Sequence, residues 1–149
     1  MSKPADRTAL QLERFINASP ARVFEAWTDP QQLKQWFGPD WVQTCEIVAE
    51  AKVGGKFRWN LITGNGGKKT IAGEYRELIP AQRIVFTWKH ENDRGWKNRT
   101  SIVTVELSDH DGGTHLRLTH VQLPDEESRD DHNKGWKSAL DRLEKFVNS

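Results

Sequence analysis

From Val42 to His120 the chain is written largely in a period of two. Ile84, Phe86 and Trp88 alternate with Val85, Thr87 and Lys89; Val103, Val105 and Leu107 repeat the pattern, and Leu116, Leu118 and His120 share one face of a last segment. Successive side chains on a strand point to opposite faces, so this alternation specifies a sheet with one face buried. Val42 to Glu50, a segment carrying Phe57, Trp59 and Leu61, and Ile71 to Leu78 supply further strands. The breaks between them carry turn chemistry: Gly54-Gly55, Gly64-Asn65-Gly66-Gly67, Pro80 and Asp111-Gly112-Gly113, where glycine and asparagine accept positive φ. The segment from Glu91 to Asn98 reads as a polar loop carrying Trp96.

At Asp125 the period changes. His132, Trp136, Leu140, Leu143 and Val147 recur at intervals of three or four, the stripe of an amphipathic helix. Asp125 is a good N-cap, and Glu126 and Glu127 suit the positive end of the helix dipole. The first two turns are polar, so the rear of this helix seals the sheet while its front overhangs something less apolar.

The N-terminal third adds a strand from about Thr8 to Ile16, with Leu10, Leu12 and Ile16 on one face, and two short helices. Ser19-Pro20 and Asp29-Pro30 each pair a capping side chain with proline at the first helical position. Val23, Ala26 and Trp27 face inward from the first helix, and Leu33, Trp36 and Phe37 from the second, which Gly38-Pro39 ends. A strand, two helices, six more strands and a final helix predict an α+β fold rather than a wound parallel sheet. The expected architecture is a curved antiparallel sheet of seven strands, its concave side covered by the terminal helix, in a single domain over residues 1–149.

Net charge is +1, from 22 basic and 21 acidic residues, which gives no global attraction for nucleic acid or an anionic membrane. Cys45 is the one cysteine, so an internal disulfide and a cysteine zinc site are excluded; it reads as a structural thiol. The N-terminus lacks a secretory run, and no stretch approaches a membrane span, so a cytoplasmic location is expected. No nucleophile-elbow, dinucleotide or phosphate-loop pattern is present, and neither a metal site, a cofactor nor a catalytic residue is expected.

Five segments in order resemble a known family: Val23–Pro39, Val53–Trp59, Gly73–Trp88, Gly112–His120 and His132–Phe146. They are similar to the bacterial, single-domain members of the activator of heat shock protein 90 ATPase homologue family, within the START-like (SRPBCC) superfamily. The resemblance implies a helix-grip fold, a sheet gripping the last helix with a cavity between. Relatives in that superfamily hold lipids, sterols, hormones or polyketides there, and some act on them chemically. It also implies that the extra N-terminal domain through which the eukaryotic co-chaperone engages its chaperone has no counterpart in these 149 residues.

The candidate binding residues are Trp27, Trp36, Phe37, Trp59, Tyr75, Phe86, Trp88 and Trp136, with Leu118, His120, His132 and Leu140 beside them. The chain has 7 Trp and 6 Phe, and such rings either form an ordinary core or wall a pocket for a small apolar molecule. Tyr75 could orient a guest through its hydroxyl. His120 and His132 can reach one interior from opposite walls, either as ligand partners or acid–base groups, or else as a satisfied core histidine and a half-exposed one. Gly135 costs roughly 1 kcal/mol inside a helix, which points to a close approach or a bend there. Glu74, Arg76, Arg58 and Asn60 should face solvent, and Lys68-Lys69 and Lys97–Arg99 read as solvated turns. The leading expectation is binding of a small hydrophobic or amphipathic molecule. The alternatives are a cyclase- or hydrolase-like enzyme using the histidines and a chaperone-associated interaction module; a homodimer is left open.

Overall fold

Each helix begins where a capping side chain meets a proline or an acidic turn. Ser19 accepts from the backbone N–H of Arg22 at 3.2 Å, Asp29 from Gln31 at 3.0 Å and Asp125 from Ser128 at 2.8 Å, each satisfying a donor that the helix leaves open. The computed structural model describes residues 8–37, 42–63, 67–91, 96 and 99–148. The Gly38-Pro39 stop, the Gly64–Gly66 part of the hairpin turn, most of the loop after Glu91 with Lys97, and the Cys45 side chain lie outside the described residues. Along the chain run β1 (Leu10–Ile16), α1 (Pro20–Thr28), α2 (Pro30–Trp36), β2 (Val42–Ala49), β3 (Lys56–Thr63), β4 (Lys68–Ile79), β5 (Arg83–Glu91), β6 (Ser101–His110), β7 (Gly113–Val121) and α3 (Glu126–Val147).

The strands form one antiparallel sheet in the order β1-β7-β6-β5-β4-β3-β2. β2 to β7 follow one another as a meander, and β1 lies beside β7, so α1 and α2 carry the chain from one edge to the other. The register aligns inward residues in transverse rows. Leu10, His120, Val103, Phe86 and Tyr75 face one another across five strands. Just beyond Tyr75 the register with β5 shifts, an irregularity that bends and re-phases a strand. Gly73 lies close by for a steric reason: a Cβ there would come within 1.9 Å of the Thr87 carbonyl oxygen and 2.6 Å of the Phe57 ring.

α3 lies over this concave face and buries Trp136, Ala139, Leu140, Leu143 and Val147. Its rear is tied down by Arg14, which bonds to Asp141 and to the carbonyl oxygen of Lys137. α1 and α2 add Val23, Ala26, Trp27, Leu33 and Trp36 to the same core. Phe57, Trp59 and Tyr75 are buried, while Arg58 and Arg76 are exposed and Asn60 and Glu74 half-buried, so the strand faces are those the alternation predicts. None of the helices among the described residues is long and apolar enough to cross a membrane.

Candidate functional site

Inward side chains on neighbouring strands point the same way in register, so the rings meet. Phe37 lies 4.3 Å from Trp59, Phe57 4.6 Å from Trp59 and Trp27 4.9 Å from Trp36, centroid to centroid. Contacts also bridge the elements, with Trp136 on α3 at 5.1 Å from Trp88 on the sheet and 5.9 Å from Trp27 on α1. Spacings of 4.5–7 Å are those of attractive aromatic packing. Space remains under the front of α3, in a hollow of about 80 Å³ where β3 and β5 end and β4 begins. Phe37, Leu61, Ile71, Trp88, Trp136 and Ala139 form its apolar wall; Lys69, His90, Asp131, His132 and Gly135 complete it.

Of the residues expected at the site, Phe37, Trp88, His132 and Trp136 line this hollow. Trp27, Trp36, Trp59, Tyr75, Phe86, Leu118 and Leu140 belong to the packed core and not to the hollow's lining, and His120 is fully buried outside that lining too. His120 is a fully satisfied core histidine. The indole N–H of Trp136 donates to its Nδ1 at 3.1 Å, so Nε2 carries the proton and donates to Ser101 Oγ at 2.7 Å. Ser101 donates onward to the Trp88 carbonyl oxygen at 2.8 Å. Burial, and behind it the nearby His132 and His90, holds the pKa of His120 well below 6.5. The Tyr75 hydroxyl has no hydrogen-bond partner among the described residues, and burial pushes its pKa to about 12.

Gly135 requires a correction. Among the described residues a Cβ built there meets no atom within 4 Å, so none of their elements makes a close approach. The position borders the hollow instead, and the missing side chain is space that the hollow uses.

The polar junction at the rim lay beyond the sequence reading, because His90 was not singled out. His132 Nδ1 stands 2.7 Å from the Ser128 carbonyl oxygen; a carbonyl only accepts, so this nitrogen carries the proton. Nε2 is then the lone-pair nitrogen, and the Trp88 indole N–H donates to it at 3.3 Å. His90 Nε2 stands 3.0 Å from the same atom and must present an N–H of its own. Two donors thus converge on one lone pair. Burial, His132 and Lys69 lower the pKa of His90 to about 3, so at neutral pH it is an uncharged donor. Trp96, from the loop read as polar, is buried and packs against His90, the rings tilted by 30° with centroids 4.7 Å apart. The signal for His90 was available: it is the next inward position after Ile84, Phe86 and Trp88. Lys69 continues Ile71 in the same way, and Asp131, Gly135 and Ala139 follow one another at four-residue steps along α3.

A curved antiparallel sheet closed on one long terminal helix, with an apolar hollow at the helix front, defines a START-like, helix-grip protein. The family described as Activator of Hsp90 ATPase homolog 1-like protein matches residues 17–148, and the chain belongs to it. The human activator of 90 kDa heat shock protein ATPase homolog 1 is 27% identical over 129 residues, which cover 85% of this chain and 33% of that protein. The chain therefore spans about a third of that relative's length. A Chromobacterium violaceum protein of known structure is 27% identical and superposes with a TM-score of 0.90 over 97% of this chain and 99% of its own. The AHSA1 protein of Silicibacter pomeroyi is 26% identical, with a TM-score of 0.78 over 94% and 97% of the two chains.

Proposed function

We propose that this chain is a noncatalytic binding domain which holds a small, mainly apolar molecule in the hollow beneath the front of α3. The observation that carries this reading is Gly135. It sits mid-helix at a cost of roughly 1 kcal/mol against alanine, leaves open space among the described residues where a Cβ would stand, and opens the wall of an otherwise aromatic-lined space. An apolar guest gains about 25 cal/mol for each Å² of its surface removed from water. A hollow of about 80 Å³ is smaller than the ~150 Å³ cavity that encloses benzene, so the guest is compact or leaves one end in solvent.

The histidines favour binding over acid–base chemistry. His120 is held between Trp136 and Ser101, and His90, with its pKa near 3, is far from the near-neutral value such catalysis needs. The human relative's name links it to a chaperone ATPase. A docking module for such a partner would present a contiguous apolar patch. The exposed large apolar side chains among the described residues are Phe15, Val48, Val53 and Ile79, on separate segments of the chain. Such a binding domain would act in the cytoplasm as a carrier or sensor of a small metabolite.

Gly135 also supplies the test. Gly135→Ala should stabilise the protein by about 1 kcal/mol, read by urea denaturation, because nothing stands where the methyl group goes. Gly135→Leu should project into the hollow and stop binding without unfolding the chain. In a two-dimensional NMR titration with small ketones and hydrocarbons, wild type should show shifts at the Trp88 and Trp136 indole N–H groups, and Gly135→Leu none. Equal shifts in the two proteins would place the guest elsewhere and reject the reading.

A further inference from the structure

We infer that the hollow selects molecules bearing an uncharged hydrogen-bond acceptor (a ketone, aldehyde, ester or ether oxygen on a body of about four to six carbons), which takes the surplus N–H where Trp88, His90 and His132 meet. The inference rests on the binding reading above and specifies its chemistry.

A neutral imidazole has one lone pair, and the Nε2 lone pair of His132 faces both the Trp88 indole N–H at 3.3 Å and the His90 Nε2–H at 3.0 Å. The two donors compete, and neither can reach full strength while both aim at one acceptor. The other end of His132 cannot turn away, because its Nδ1–H is held by the Ser128 carbonyl. His90 is held as well, its ring packed at a tilt against buried Trp96. All three residues of the junction line the hollow. A guest oxygen entering beside them takes one N–H and leaves the other to His132, so every donor then has its own acceptor. The remainder of the guest lies against Phe37, Leu61, Ile71 and Ala139.

The same geometry disfavours ions. Lys69 and Asp131 border the hollow with opposite charges, so the rim carries no net preference. Deeper in, Trp88 and His90 donate as neutral groups. A carboxylate would shed its water for neutral donors, with the Lys69 charge at the rim balanced by Asp131, and that is costly. An ammonium group would bring more donors to a place that already has one too many. A pure hydrocarbon fills the space and leaves the competition as it was.

The test uses three probes of similar size on the full chain: cyclopentanone, methylenecyclopentane and cyclopentanecarboxylate. Because the hydrocarbon leaves water more readily, the decisive quantity is the ratio of ketone to hydrocarbon affinity in wild type and in His90→Phe, which keeps a ring against Trp96 and deletes one donor. A net hydrogen bond corresponds to about two- to tenfold in affinity, and the ratio should fall by that factor in His90→Phe. Should the variant fail to fold, wild type still decides: the ketone must move the Trp88 or His90 ring N–H resonance downfield, and the hydrocarbon must not. An unchanged ratio, or downfield shifts with both probes, overturns this inference and leaves the binding reading standing. Tighter binding of the carboxylate than of the ketone also overturns it. Failure of all three probes to bind rejects the binding reading and this inference together.

Discussion

Acidifying the protein from pH 7 to pH 5 should remove about 2 kcal/mol of folding stability through His90 alone, with His120 adding a loss of the same sign, before most carboxylates begin to titrate. His90 and His120 are held neutral in the fold, the first with its pKa near 3 and the second well below 6.5, in both cases chiefly by burial. In the unfolded chain both return to about 6.5. Below that value the unfolded state binds more protons than the folded one, so stability falls as pH falls. The contribution is complete above pH 6.5, and for His90 it is exhausted only near pH 3. His90, with its pKa near 3, contributes about 2 kcal/mol over the interval from pH 7 to 5, against a total stability of about 5–15 kcal/mol for ordinary domains; His120 acts in the same direction. Urea unfolding at pH 7, 6 and 5 measures the effect. His90→Phe should show a shallower slope that does not vanish, since His120 remains; a stability unchanged between pH 7 and 5 would show that these imidazoles are not the buried neutral groups described above.

Replacing Trp136 with alanine should cost about 3–5 kcal/mol, the range for deleting a large aromatic from a core. Its ring packs at 5.1 Å from Trp88, 5.8 Å from Phe37 and 5.9 Å from Trp27, and it joins the helix to the sheet. Its N–H is also the donor to His120 Nδ1, so truncation strands a buried acceptor and adds to the loss. Because Trp136 stands between the hollow and the packed core, the same change should enlarge the hollow. Bicyclic apolar molecules such as indole should then raise the midpoint of thermal unfolding of the variant and leave wild type unmoved, as selective binding to a folded state requires. A loss below about 1 kcal/mol in chemical denaturation would mean that Trp136 is not the junction of the two layers.

The elements were legible because local physics sets them. Period-two alternation fixes which strand face is buried, and Ser19-Pro20, Asp29-Pro30 and Asp125 mark helix starts by hydrogen bonds within three residues. The division of the aromatics between core and hollow was not legible, since it depends on register between strands far apart in sequence and on the irregularity beyond Tyr75. Trp59 and Trp88 share a pattern and an inward face, yet Trp88 reaches the hollow and Trp59 does not line it. His90 was missed because Glu91 begins a polar stretch that made the strand look finished. Its partnership with His132 joins residues 42 positions apart, a distance that no local pattern reports. Gly135 showed the opposite: the sequence flagged the position, and only the geometry revealed that the space beside it is open rather than occupied.

Crystals of the protein pressurised with xenon would probe the hollow without any assumption about a natural guest, because xenon enters apolar space. One atom should lie among Ile71, Trp88, Trp136 and Ala139 in wild type and be missing from Gly135→Leu. Interior density that shows these side chains closed on one another, with xenon absent or bound only elsewhere, would mean that α3 and the sheet hold nothing between them but their own side chains.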